Sequence, residues 1–227
     1  MKFETLGSSS KGNSIILEDR LLLDAGVTYI KIRPYLKNIK LIFIGHSHKD
    51  HLLPTTIKQI AYNYPTIKFV TGSDIVVEKL YKCGVNKKNI FYLKPSVWYN
   101  LGMFQCKIEP LTHDTPNYAL KVKYREQKCI YIVDTSNVDN ISAKNYDLYL
   151  IESNYRDDIL DRHIQECEDE GTLYYLDRVR KTHLSYAQAN SFLIENMGEN
   201  SEFEYIHQSS YNFEEMEWLK CLKKIKY

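Results

Sequence analysis

The means for a disulfide framework are missing from this sequence. Its five cysteines, Cys83, Cys106, Cys129, Cys167 and Cys221, are odd in number, widely separated and never in a C-x-x-C pair. Neither a disulfide scaffold nor a thiolate zinc site is therefore expected, and a reducing cytoplasm fits this usage. Long apolar runs are absent as well. Nothing approaches the roughly 18 consecutive apolar residues that read as a membrane span, and Met1-Lys2-Phe3-Glu4 opens without the apolar stretch of a secretion signal. An excess of one charge is also lacking: 30 Lys+Arg offset 29 Asp+Glu, leaving a formal net charge of +1. The chain as a whole does not advertise a polyanionic partner, which leaves only a local basic patch to attract one. Repeats, low-complexity tracts and linkers are not seen, and 227 residues with 44% hydrophobic content can bury one substantial core. A single domain over 1–227 is expected.

What is present begins with short apolar or alternating runs, rich in β-branched and aromatic residues, that read as strands. They are Phe3 to Leu6, Ser14 to Leu17, Leu21 to Leu23, Leu41 to Ile44, Ile67 to Val70, Ile90 to Leu93, Phe104 to Ile108, Ala119 to Tyr124, Ile130 to Val133, Asp147 to Ile151 and Phe203 to Ile206. Apolar residues at three- and four-residue spacing predict helices over Tyr29 to Leu36, Leu53 to Tyr64 and Ser73 to Tyr81, the last opening on Ser73-Asp74 and followed by Gly84. From Arg156 through Arg180 the chain is strongly charged, with Leu160, Ile164, Leu173, Leu176 and Val179 spaced as in amphipathic helices. A solvated helical face is the plain reading of that segment; a lid or a homodimer contact is the sharper one. Ser185 caps a further helix to about Asn196, and Asn212 opens a C-terminal one. Strands with interspersed surface helices favour an αββα sandwich or another layered α/β fold.

The chemistry is concentrated after the strand Leu41-Ile42-Phe43-Ile44, which runs into Gly45-His46-Ser47-His48-Lys49-Asp50-His51. Here are four potential ligands within six residues, where a buried strand ends in a loop. Such a run can converge on one or two cations, and neutral imidazole with carboxylate suits zinc.

An H-x-H-x-D-H run in this context resembles the signature of the metallo-β-lactamase superfamily, and four further segments are similar to that family's other motifs. Leu21-Leu22-Leu23-Asp24-Ala25-Gly26 resembles the hydrophobic-D-x-G element, whose aspartate supports the metal loop. Leu111-Thr112-His113-Asp114 resembles the third motif. Ile130 to Thr135 resembles the strand presenting a bridging carboxylate, here Asp134, and Phe203 to His207 resembles the last motif. The resemblance implies an αββα four-layer sandwich binding two zinc ions, with manganese as an alternative. It implies one metal site of His46, His48 and His113, another of Asp50, His51 and His207, and Asp134 joining them. His183, in Lys181-Thr182-His183-Leu184-Ser185, competes with His207 for the last ligand position. Likeness to the nuclease branch, which includes tRNase Z, assigns His207 to metal and His183 to proton transfer. His163 matches no motif.

Within the superfamily the chain is most similar to the WalJ type of bacterial enzyme. The likeness lies in Leu6-Gly7-Ser8-Ser9-Ser10-Lys11-Gly12-Asn13-Ser14 and in Ile151-Glu152-Ser153-Asn154-Tyr155, where Tyr155 stands in place of a histidine. The implied activity is phosphodiester hydrolysis, with nucleic acid, DNA foremost, or a nucleotide as substrate. Asp50 would aim a metal-activated water, and His183, oriented by Glu152, would protonate the leaving alkoxide. Asn154 and Tyr155 are candidate substrate contacts, and Ser8, Ser9, Ser10 and Gly12 are candidate phosphate-binding amides. The rival implied by resemblance to phage anti-Pycsar enzymes is cyclic-nucleotide hydrolysis; a glyoxalase-like thioester hydrolase is a third. A nuclease should show a basic groove leading to the metals, whereas a cyclic-nucleotide enzyme should have a closed pocket.

Overall fold

The computed structural model describes residues 1–167 and 170–209; the helix expected from Asn212 lies outside the described residues. Two six-stranded sheets form the centre. The first runs in chain order: β1 (Phe3–Gly7), β2 (Ser14–Leu17), β3 (Leu21–Leu23), β4 (Leu41–Phe43), β5 (Lys68–Thr71) and β6 (Ile90–Tyr92). The second comprises β7 (Tyr99–Leu101), β8 (Phe104–Leu111), β9 (Asn117–Tyr124), β10 (Gln127–Ile132), β11 (Leu148–Glu152) and β12 (Glu202–Ile206), again with each strand beside the next in the chain. Among the described residues the chain thus passes from one sheet to the other once, between β6 and β7. Strands β3 to β6 are parallel to one another, as are β10 to β12, and the remaining pairings are antiparallel.

Period-two alternation explains why runs such as Leu21-Leu22-Leu23 are buried throughout. Successive side chains leave opposite faces of a strand, and both faces are covered here. Ile15, Leu17, Leu21, Leu23, Leu41 and Phe43 point inward, meeting Phe104, Ile108, Leu120, Val122 and Tyr131 of the second sheet. Ile16, Leu22, Ile42 and Phe69 point outward, under α1 (Tyr29–Ile32), α2 (Pro54–Asn63) and α3 (Asp74–Lys82). On the far side Ile130, Ile132, Tyr149 and Ile151 pack under Ala189, Phe192 and Leu193 of α6 (Tyr186–Asn196). Each fully buried leucine contributes roughly 1.5–3 kcal/mol. The result is an αββα four-layer sandwich.

The charged segment folds as α4 (Asp157–Glu166) and α5 (Glu170–Thr182), whose Leu160, Leu176 and Val179 enclose Tyr155 in a small core of their own. No helix among the described residues is long and apolar enough to cross a membrane. Helix α1 is shorter than the pattern suggests, ending at Ile32 two residues before Pro34, which has no amide to extend the ladder. Turns bonded from Tyr35 to Ile32 and from Leu36 to Arg33 complete the segment.

Candidate metal centre

The cleft is built from strand ends. Asp24 follows β3, the His46 to His51 loop follows β4, His113 follows β8, Asp134 follows β10, Glu152 closes β11 and His207 follows β12. Parallel strands deliver their carboxyl ends to one edge, which is where α/β sheets place ligands. Three of these residues, Asp24, Asp134 and His207, have φ of 57°, 54° and 52°. Left-handed backbone is uncommon outside glycine and persists only where its surroundings fix it. Each lies just past a strand end; Asp134 and His207 line the cleft, while Asp24 is buried behind it. Gly26 meets a different demand: a Cβ there would lie 1.6 Å from the Asp50 carbonyl oxygen. Only glycine lets that chain pass so near the histidine loop, which is stitched in place by bonds from Asn13 N–H to Asp50 and from Ala25 N–H to His51.

The fold gathers the predicted side chains into three overlapping groups: His46, His48, His113 and Asp134; Asp50, His51, Asp134 and His207; and Asp134, Glu152, His183 and His207. Within each group the donor atoms lie no more than 4.8 Å apart, and Asp134 belongs to all three. Residues up to 161 positions apart in sequence, His46 and His207, therefore share one centre. His207, not His183, joins Asp50 and His51.

Several buried polar atoms in these groups lack hydrogen-bond partners: both ring nitrogens of His46, Nε2 of His207 and Oδ1 of Asp134. Asp134 Oδ1 lies 2.9 Å from His207 Nδ1, yet the approach is too poorly aligned for a hydrogen bond. Buried polar atoms are otherwise almost always satisfied. Imidazole and carboxylate donors converging on shared points, with their mutual hydrogen bonds unmade, fit divalent cations such as zinc.

The rings are held from behind. Buried Asp24 accepts from Gly45 N–H at 3.1 Å and Tyr131 O–H at 2.7 Å, and lies 2.6 Å from His51 Nδ1. With Nδ1–H given to Asp24, His51 presents Nε2 to Asp50 and Asp134, at 3.2 and 2.9 Å. His113 Nδ1 faces the Thr182 carbonyl at 3.1 Å, which turns Nε2 inward. His48 Nε2 lies 3.2 Å from Asp114 Oδ1, leaving Nδ1 on the His113 side, and Arg178 donates to the other Asp114 oxygen at 2.7 Å. Orientation of this kind fixes the tautomer and the basicity of a ligand.

Glu152, fully buried, is the hub of the third group. Its Oε1 lies 2.6 Å from His183 Nδ1 and 2.9 Å from His207 Nδ1, while Oε2 accepts from Thr135 and Leu184 N–H groups at 3.1 and 3.3 Å. Burial lowers the pKa of His183, but the Glu152 carboxylate outweighs it and, with Asp134, raises the imidazole to about 9. His46 goes the other way, pushed down to about 4 by burial and by its neighbour His51. Burial also opposes the charged forms of Asp50 and Asp134, yet the imidazoles of His207 and His51 hold both carboxyls below their usual range. Carboxylates this numerous require positive charge beside them, supplied by protons on imidazole or by cations in their place.

Of the other candidates, Asn154 lines the cleft and also braces its wall. Its side-chain amide donates to the His207 carbonyl at 2.8 Å, and its backbone oxygen accepts from Ser209. Tyr155, only 5% exposed, packs under α4 and α5. Ser8 accepts from His207 N–H through its hydroxyl at 2.7 Å, and Gly12 spends its amide on Ser9. Sequence reasoning missed Arg178, the Thr182 carbonyl and Asn13, whose amide lies 2.9 Å from His51 Nε2. Of these only Asn13, beside Gly12 in the Ser-rich turn, carried a local signal. The cleft encloses about 190 Å³ between the ligand groups and α5, which contributes Tyr175, Arg178, Val179 and Thr182.

No protein-family model matches the chain, and no curated protein matches it by sequence. Solved structures do. The metallo-β-lactamase fold protein YhfI from Bacillus subtilis is 16% identical with a TM-score of 0.68, over 92% of this chain and 86% of that one. The short form of human tRNase Z is 15% identical with a TM-score of 0.65, over 94% of each chain. Zinc-bound PqqB from Methylobacterium extorquens is 10% identical with a TM-score of 0.63, over 93% of this chain and 90% of that one. Likeness over nearly the full length of each, with two sheets stacked between helices and histidines gathered at their strand ends, shows that this chain has the metallo-β-lactamase fold.

Proposed function

We propose that the chain is a two-metal phosphodiester hydrolase, a nuclease whose first substrate is DNA. His46, His48 and His113 hold one cation, Asp50, His51 and His207 the other, and Asp134 both. Zinc, the ion bound by the similar PqqB structure, or manganese fills these positions. Two such cations supply a nucleophile from water at neutral pH and neutralise charge developing on phosphoryl oxygens. Asp50, at the cleft wall, orients the attacking water by accepting its hydrogen bond.

The observation that carries the reading is the placement of His183. Its Nδ1 is anchored on Glu152 at 2.6 Å and lies 3.2 Å from Asp134, so the ring stands at the cleft in the group of Asp134, Glu152 and His207, outside the two groups that contain His46 and Asp50. Held protonated by Glu152, it can donate Nε2–H to a departing alkoxide, a step a phosphodiester needs and a thioester does not. General-acid help of this kind is worth roughly 10² to 10⁴ in rate. The DNA assignment is supported by the likeness of the Ser-rich turn and the Glu152-Ser153-Asn154 segment to WalJ-type enzymes. A cleft of about 190 Å³ is smaller than the roughly 300 Å³ at which pockets begin to enclose a small-molecule ligand, which disfavours the cyclic-nucleotide rival.

The test is hydrolysis by metal-loaded protein of linear DNA, RNA, cyclic mononucleotides, bis(p-nitrophenyl) phosphate and a thioester. Diester cleavage should be abolished in Asp50→Ala. In His183→Ala it should fall about 10²-fold or more on DNA, and much less with nitrophenol, which leaves without a proton. Thioester cleavage with all diesters intact would overturn the reading.

A further inference from the structure

Beside the metal cleft lies a second, wider depression of about 540 Å³. Ser10 and Asp50 line both, so the two lie side by side. Its walls come from three separated segments: the turn between β1 and β2, the region from Gly26 to Lys31, and the histidine loop with Leu53 behind it. Each segment contributes one lysine, Lys11, Lys31 and Lys49, all exposed. The sole carboxylate on the walls is Asp50, which belongs to the metal centre. Some lysines elsewhere are held by a carboxylate, as Lys2 is by Asp19 and Lys121 by Glu109. Lys11, Lys31 and Lys49 have no acidic partner among the described residues. The amide of Ser10, at the junction of the two depressions, has no acceptor there either.

Three cations without a carboxylate partner thus line one groove that adjoins the metal centre. Resting on the phosphodiesterase reading above, we infer that this groove is a strand-binding site: it holds the sugar-phosphate backbone of a nucleic-acid strand on one side of the scissile phosphate. Lys11, Lys31 and Lys49 each meet a backbone phosphate, and the Ser10 amide faces the one nearest the cleft. A mononucleotide has one phosphate and cannot engage three separated lysines while that phosphate sits on the cations. The groove therefore selects polymer over monomer without contacting a base, as backbone contacts position a strand and carry no sequence information.

Counterion release sets the expected size. Each phosphate neutralised on a single strand adds about 0.7 to the slope of log affinity against log salt, so these three contacts account for a slope of about 2 and for an affinity loss of roughly 20-fold between 50 and 200 mM salt. The experiment is fluorescence anisotropy of labelled oligothymidylate and oligouridylate on metal-free full-length protein and on the Lys11→Ala/Lys31→Ala/Lys49→Ala variant. Hydrolysis of bis(p-nitrophenyl) phosphate by both proteins after metal loading controls for folding. A wild-type slope steeper than that of the variant by about 2, on either oligomer, with nitrophenyl diester hydrolysis within twofold, supports the groove and identifies the strand. Equal slopes on both oligomers overturn it, as does a parallel loss of nitrophenyl diester hydrolysis. If wild type cleaves no diester while the slopes differ and the variant keeps the wild-type circular dichroism spectrum and Tm, the strand site stands and the catalytic reading alone fails.

Discussion

Asp114 stands between His48 and Arg178, with one carboxylate oxygen 3.2 Å from the imidazole Nε2 and the other bonded to the guanidinium. The carboxylate selects the His48 tautomer whose Nδ1 faces the cleft, and the arginine holds the carboxylate. Asp114→Asn keeps the shape and removes the charge that favours this tautomer. It should weaken binding of the cation proposed for His46, His48 and His113 by about 10- to 100-fold, the usual cost of losing such support, and leave the other proposed cation nearly unchanged. Competition with a chromophoric chelator reads both affinities; two unaltered affinities would discard this role. Arg178→Met should cost less, because its ion pair is half exposed and such pairs contribute little. The two partners lie 64 residues apart, and nothing local to either announces the other. His46 to His51 were legible because four donor residues are adjacent and follow a strand. Asp134 and His207 were legible by family likeness, since each is a single residue at a strand end. The role of Arg178 became visible only once α5 was docked against the cleft.

Helix α6 carries the other part of the His183 wall. Ser185 opens it with a reciprocal cap: the Gln188 amide donates to Ser185 Oγ, and the Gln188 side chain accepts from Ser185 N–H. Ser185→Ala should destabilise the protein by about 1 kcal/mol, read as a lower urea midpoint at unchanged slope. An unchanged midpoint would mean that the cap is redundant. The start of this helix was plain in the sequence because its cap chemistry is local, as was that of α3, where Ser73 accepts from Val76 N–H. The buried strands were equally plain from their apolar runs. Strand β7 was not: Tyr99-Asn100-Leu101 is three residues long, too short for any period to register, and is strand only because it pairs with β8. Tyr155 misled for a similar reason. Next to Asn154 it read as a substrate contact, but the docking of α4 and α5 buries it.

Across the whole molecule, His46, His48, Asp50 and His51 come from loops of the first sheet, and His113, Asp134 and His207 from loops of the second. Each proposed cation draws ligands from both, so binding should stabilise the packing of sheet on sheet. Saturation at a hundredfold excess over Kd contributes about 2.7 kcal/mol per ion, and for a chain of this size each kcal/mol raises Tm by about 2–4 °C. With both ions removed, chelator-treated protein should therefore melt roughly 11–22 °C below protein given zinc or manganese. Coincident melting curves would contradict a metal shared between the sheets.

The single passage between β6 and β7 makes the two sheets almost separate pieces of chain, each finishing its own hydrogen-bonded ladder before the other begins. What joins them is the inner apolar faces, hydrogen bonds such as Tyr131 to Asp24 and His207 to Ser8, the proposed coordination bonds and a short stretch around Lys94 to Trp98. Divided at that stretch into two genes, the protein should behave as a complementing pair, each fragment carrying an incomplete ligand set. Divalent metal would then act as the ligation signal, and activity would report the meeting of two polypeptides.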